Sequence, residues 1–108
     1  MSKHRYNPKI KPSAIDALVK QISLFPDVDK IILFGSRARG DNDFYSDIDI
    51  AVEGDFKAQE WQKIKRLADV EDATIKTLLK IDLVNMNTAT NALKESILQE
   101  GQILYERN

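Results

Sequence analysis

The chain has no cysteine at all. That excludes a disulfide framework, a zinc knuckle and a thiol nucleophile. Only four glycines and three prolines occur in 108 residues, too few for a loop-dominated or low-complexity chain. No apolar run approaches the roughly 18 residues that a membrane-crossing helix needs. The start also lacks the apolar core of a secretory signal. A soluble, cytoplasmic protein without membrane contact is therefore expected. The single histidine, His4, lies outside every pattern and reads as a surface residue.

What is present is enough for one core. A hydrophobic content of 43% with 31% charged residues suits a two-layer fold, and the length suits one domain spanning residues 1–108. The net charge of −1 hides an uneven distribution. Residues 1–12 carry Lys3, Arg5, Lys9 and Lys11 without an acid, whereas residues 41–55 carry Asp41, Asp43, Asp47, Asp49, Glu53 and Asp55 without a base. The basic start can touch RNA or an acidic partner. It reads more simply as a flexible arm, and no direct nucleic-acid binding is expected.

Hydrophobic periodicity divides the chain into alternating elements. Ser13 and Asp16 resemble a capping box ahead of a helical face formed by Ile15, Leu18, Val19 and Ile22, and Pro26 ends that helix. Residues 28–34 form a β-branched, apolar run of buried-strand type. Gly35 punctuates it, and residues 36–39 predict a short helix closed by Gly40. After a polar loop, residues 47–52 alternate acid and apolar with period two. Residues 57–71 predict a helix with Trp61, Ile64, Leu67 and Ala68 inward, followed by a helical or turn segment to Thr77. Residues 79–86 predict a third strand. Residues 88–100 predict a helix on Ala89, Ala92, Leu93 and Ile97, and residues 102–105 can add an edge strand. Helices alternating with strands predict an α/β or α+β domain, a small mixed sheet flanked by helices.

The chemistry concentrates in residues 34–52, FGSRARGDNDFYSDIDIAV. A strand that ends in glycine and enters a helix exposes unpaired N–H groups, and this favours phosphate. Ser36 can donate its hydroxyl to a phosphate oxygen, and Arg37 and Arg39 can supply forked charged donors. Taken alone, Gly-Ser before a short helix is more readily an ordinary cap. Asp47 and Asp49 lie two apart on a strand, so both point to one face while Ile48, Ile50 and Val52 fill the other. Two carboxylates this close repel unless a cation stands between them, and Mg²⁺ suits oxygen ligands shared with substrate phosphates. A solvated acidic sheet face is the competing reading. Asp82, central in the next predicted strand, weighs against it. If the two strands are neighbours and Asp82 faces the same side, three carboxylates converge. Such a cluster can hold two metal ions, and Asp82 can orient or deprotonate an acceptor. Together these features point to phosphoryl or nucleotidyl transfer.

Gly35-Ser36, ten intervening residues and Asp47-x-Asp49 resemble the signature of the polymerase-β nucleotidyltransferase superfamily. The fuller pattern, GSRARG, then SDIDIAV and KIDLV, is similar to its minimal nucleotidyltransferase (MNT) group. The resemblance implies that Gly35 and Ser36 hold the β- and γ-phosphates of a nucleoside triphosphate, ATP by preference. Asp47 and Asp49 would bind two Mg²⁺ ions, and Asp82 would complete the catalytic ion site and serve the acceptor. Arg37, Arg39 and Ser46, which opens the Ser-Asp-x-Asp block, join the implied nucleotide-binding set. One of the arginines can instead pair with Asp41 or Asp43. The family setting further implies a HEPN-protein partner, commonly a ribonuclease toxin that the MNT antitoxin silences by adding AMP. Two alternatives stand beside this: an antitoxin that acts by binding alone, and a small-molecule transferase of the aminoglycoside-modifying kind. Phe44 and Tyr45 can stack on a base or pack their own loop. Trp61 is a candidate for a partner-facing apolar patch or for the core.

Overall fold

A computed structural model describes residues 14–43, 46–74 and 80–107 of the chain. The basic arm, His4, Ser13, Phe44, Tyr45, the end of the turn segment near Thr77 and Leu79 lie outside the described residues. The elements run α1 (Ala14–Ser23), β1 (Val28–Phe34), α2 (Ser36–Arg39), β2 (Ile48–Gly54), α3 (Ala58–Thr74), β3 (Ile81–Asn85), α4 (Asn91–Glu100) and β4 (Gln102–Glu106).

Each helix starts or stops where local chemistry dictates. Beyond the end of α1, Pro26 cannot continue the helix. Ahead of α3, Glu60 reaches back to accept from the Lys57 N–H at 3.2 Å, half of a capping box. Phe56 stacks on Trp61 with ring centroids 5.7 Å apart, the hydrophobic staple that often accompanies such a start. Trp61 is thus half-buried against the core, which favours the packing reading over a partner-facing patch. α4 begins later than its pattern predicts. Thr90 is extended and accepts from the Leu93 N–H at 3.2 Å, making it the N-cap. Ala89 therefore precedes the helix. Ala92 is exposed rather than inward, and the buried face rests on Ile97 with Leu93 beside it.

The four strands form one mixed sheet in the order β3-β2-β1-β4. β1 runs antiparallel to both β2 and β4, while β2 and β3 are parallel. A parallel pair needs a crossover, and α3 supplies it. β4 is an edge strand beside β1, as residues 102–105 predict. A bulge lies between Val28 and Lys30 against Gly54 and Glu53. It lets Val28 point to the same side as Ile31 and Leu33.

The two faces of the sheet are covered unequally. On one, α1 and α3 lay Ile15, Leu18, Ile22, Ile64 and Ala68 over Ile31, Leu33, Ile48, Ile50 and Val52, all buried. On the other, Ile97 of α4 meets Ile32, Phe34, Ala51 and Met86 in a smaller cluster. Among the described residues no helix is long and apolar enough to cross a membrane.

Candidate functional site

The carboxylates lie on the lightly covered face. Alternation along β2 sends Ile48 and Ile50 into the core under α1 and α3, which turns Asp49 the other way, toward the side of Ala51. Asp49 sits between Phe34 of β1 and Asp82 of β3 in the strand register. Parallel partners in register share a face, so Asp49 and Asp82 are neighbours on it. Asp47 stands exposed just before β2, where the Ile48 N–H already joins the ladder to the Lys80 carbonyl at 2.8 Å.

Asp49 feels both of the other carboxylates. The Asp49 carboxyl is pushed above the usual carboxylate range, first by burial, then by the charges of Asp82 and Asp47, with Arg39 opposing. The Lys80 ammonium lies 3.6 Å from an oxygen of Asp82. Among the described residues no three such groups form a ready-made metal cage. The donor set fits a hard divalent cation: oxygen ligands only, with a central carboxylate held at an energetic disadvantage that a cation would relieve.

The glycine turn closes on this cluster. Gly35 has φ +75° and ψ −157°, a region that only glycine occupies readily. A Cβ placed there would collide with Oδ2 of Asp49. Backbone and carboxylate thus approach more closely than any other residue allows. The Gly35 carbonyl accepts from the N–H groups of both Ala38 and Arg39 at 3.1 Å, and the Ser36 carbonyl from Gly40 at 2.9 Å. Gly40 ends α2 in the left-handed conformation, as expected of a terminal glycine. Ser36 is half-buried, at the head of this turn.

The two arginines differ. Arg37 is 1% exposed, and its Nε donates to the Ser46 carbonyl at 3.1 Å. Burial lowers its pKa against the pull of Asp43. Arg37 therefore anchors the loop that delivers Asp47. Arg39 is exposed and pairs with Asp41 and Glu100, both at 3.1 Å, which raises its pKa. The pairing with Asp41 is one of those open to it on sequence grounds. Ser46 is engaged in its own loop: its Oγ accepts from the Asp43 N–H at 3.0 Å, and lies 3.3 Å from Oδ1 of the same residue. Glu100 and Gln102, which donates to the Ala38 carbonyl at 2.8 Å, also touch α2. Neither carries a local signal in the sequence, because both contacts span more than sixty residues.

Comparison with known proteins agrees with this fold. The family model described as "Polymerase beta, Nucleotidyltransferase" matches residues 16–108. No curated protein matches the chain by sequence. Among solved structures, a chain of the complex between tri-AMPylated Shewanella oneidensis HEPN toxin and MNT antitoxin is 25% identical. The match has a TM-score of 0.56 and covers 86% of this chain and 67% of that one. A chain of an MntA–HpeT toxin–antitoxin mutant is 27% identical at TM-score 0.60, covering 87% and 71%. A toxin–antitoxin structure with AMP-PNP shares the fold at 24% identity and TM-score 0.63, covering 86% and 74%. The chain belongs to the polymerase-β nucleotidyltransferase family, and its structural neighbours support a place among the MNT proteins of toxin–antitoxin pairs.

Proposed function

We propose that the protein is an Mg²⁺-dependent nucleotidyltransferase that moves AMP from ATP to a hydroxyl of a HEPN ribonuclease toxin, and so acts as that toxin's antitoxin. The observation that carries this reading is the meeting of Gly35 with Asp49, whose neighbour in the sheet is Asp82. A phosphate-accepting turn and a carboxylate pair then share one spot. In this reading Gly35 and Ser36 receive the β- and γ-phosphates, and Asp47, Asp49 and Asp82 hold the metal. Mg²⁺, when bound, neutralises phosphate charge.

At phosphorus the reaction makes one bond and breaks one, and the acceptor hydroxyl gives up its proton. The acceptor oxygen attacks the α-phosphorus, the bond from that phosphorus to the bridging oxygen breaks, and pyrophosphate leaves. Asp82, half-exposed at the edge of the cluster, takes or directs the hydroxyl proton. The AMP-PNP of one structural neighbour and the tri-AMPylated toxin of another support the choice of nucleotide and acceptor class.

The test is incubation with α-labelled ATP, Mg²⁺ and a HEPN protein, sought as the product of the neighbouring gene. Label is expected on the HEPN protein, and none when Asp47→Asn and Asp49→Asn are combined. Absence of transfer by the wild type, with neutralisation intact, would leave an antitoxin that acts by binding. Transfer surviving the double substitution would move the site elsewhere.

A further inference from the structure

The phosphate turn is braced from the far end of the chain. α2 is a single turn, and a helix this short cannot hold its own shape. Its last carbonyls need partners from outside. The Gln102 side chain supplies one, its Nε2 donating to the Ala38 carbonyl at 2.8 Å. One residue on, Arg39 reaches Glu100 at 3.1 Å. The N–H groups of these same two residues, Ala38 and Arg39, both donate to the Gly35 carbonyl. Each brace is therefore one residue removed from the glycine that faces Asp49.

The anchor is rigid. Gln102 pairs with Leu33 of β1, one of the two interior strands. Between the two bracing residues, Gly101 packs so tightly that a Cβ would collide with Ile32 and with the Ile97 carbonyl. The α4–β4 corner is thus seated on the sheet two residues from the end of the strand that carries Gly35.

We propose that Gln102 is a positioning residue of the nucleotide site, holding the Ala38 carbonyl so that the Gly35–Ser36 turn keeps its place against Asp49, with Glu100 as a weaker second brace through Arg39. This rests on the reading of that turn as the triphosphate-binding element. It assigns a nucleotide-site role to the last strand, which carries no residue of the signature.

The decisive variant is Gln102→Met, which keeps length and loses the donor. ATP affinity is measured by calorimetry with Mg²⁺, alongside KM for ATP, kcat and thermal melting. Gln102→Met is expected to weaken ATP binding about fivefold, the size of one lost hydrogen bond. KM should rise in step with kcat little changed, and melting should fall by no more than the few degrees that one hydrogen bond is worth. Gln102→Lys, which restores a donor, should recover most of the affinity. Glu100→Ala should weaken binding about twofold, as an exposed ion pair allows, and it serves as the test should Gln102→Met fail to fold. Unchanged ATP affinity in Gln102→Met, or in Glu100→Ala where that variant stands in, overturns the brace and leaves the nucleotide reading intact. A wild type that binds no ATP overturns both.

Discussion

The two faces of the sheet are built from the same strands and do opposite work. Under α1 and α3, Ile31, Leu33, Ile48, Ile50 and Val52 are sealed from water. On the reverse, the same strands present Phe34 and Ala51 to α4 and then give way to Asp49 and Asp82. The first face makes the fold stable enough to tolerate the second. A small domain has little stability to spare, so concentrating apolar burial on one side leaves the other free to hold repelling charges.

The comparison breaks most visibly at Ile31. It is fully buried in the interior strand β1, paired with Val52 on one side and Tyr105 on the other. Ile31→Ala is expected to destabilise the domain by about 2–5 kcal/mol, the usual range for an isoleucine truncated in a packed core. Urea unfolding followed by circular dichroism measures it. A loss well under that range would mean that the α1/α3 face is not the stabilising one.

Gly35 tests where the two faces meet. Gly35→Ala places a Cβ in a backbone region that only glycine adopts easily and against the Asp49 carboxylate. The strain is expected to be about 1–3 kcal/mol. Relief requires α2 to move away from Asp49, so ATP affinity should fall more than stability does. Calorimetry and thermal melting on the same sample separate the two. A variant with wild-type ATP affinity would show that the close approach is packing only.

Much of this was readable in advance, for definable reasons. β1 and α2 could be read because Gly35 ends the first and Gly35 and Gly40 flank the second. The side of β2 that carries Asp49 followed from strict alternation. The adjacency of Asp49 and Asp82 could be stated only as a condition, because strand order is a tertiary fact that no local pattern encodes. Arg37 reads as a phosphate ligand when its neighbours in sequence are considered. In the fold its side chain is buried and its Nε also donates to the Ser46 carbonyl, a contact that no local pattern announces. Ala92 misled for a simpler reason: alanine has too little surface for its position in a pattern to fix which way it faces. Gln102 and Glu100 had no signal, their partners being distant in the chain.

The smallest expected effect has the most informative sign. Asp49 has a raised pKa because burial, Asp82 and Asp47 all disfavour its charge. A carboxyl whose folded pKa lies above its unfolded value favours folding while protonated. That contribution is complete below the unfolded pKa and is lost as pH rises through the folded one. At neutral pH the ionised Asp49 therefore works against the fold when no cation is bound. Asp49→Asn should raise the melting temperature at pH 7 in the absence of Mg²⁺. The gain is expected to be under about 1 kcal/mol, because Asp49 is only part-buried and water screens its neighbours. It should shrink as pH falls into and below the carboxylate range. Mg²⁺ should raise the melting temperature of the wild type and leave that of Asp49→Asn almost unmoved. A wild type more stable than Asp49→Asn at pH 7 without Mg²⁺ would mean that Asp49 is held by partners in the fold. The charged face would then belong to the protein's stability and not to its site.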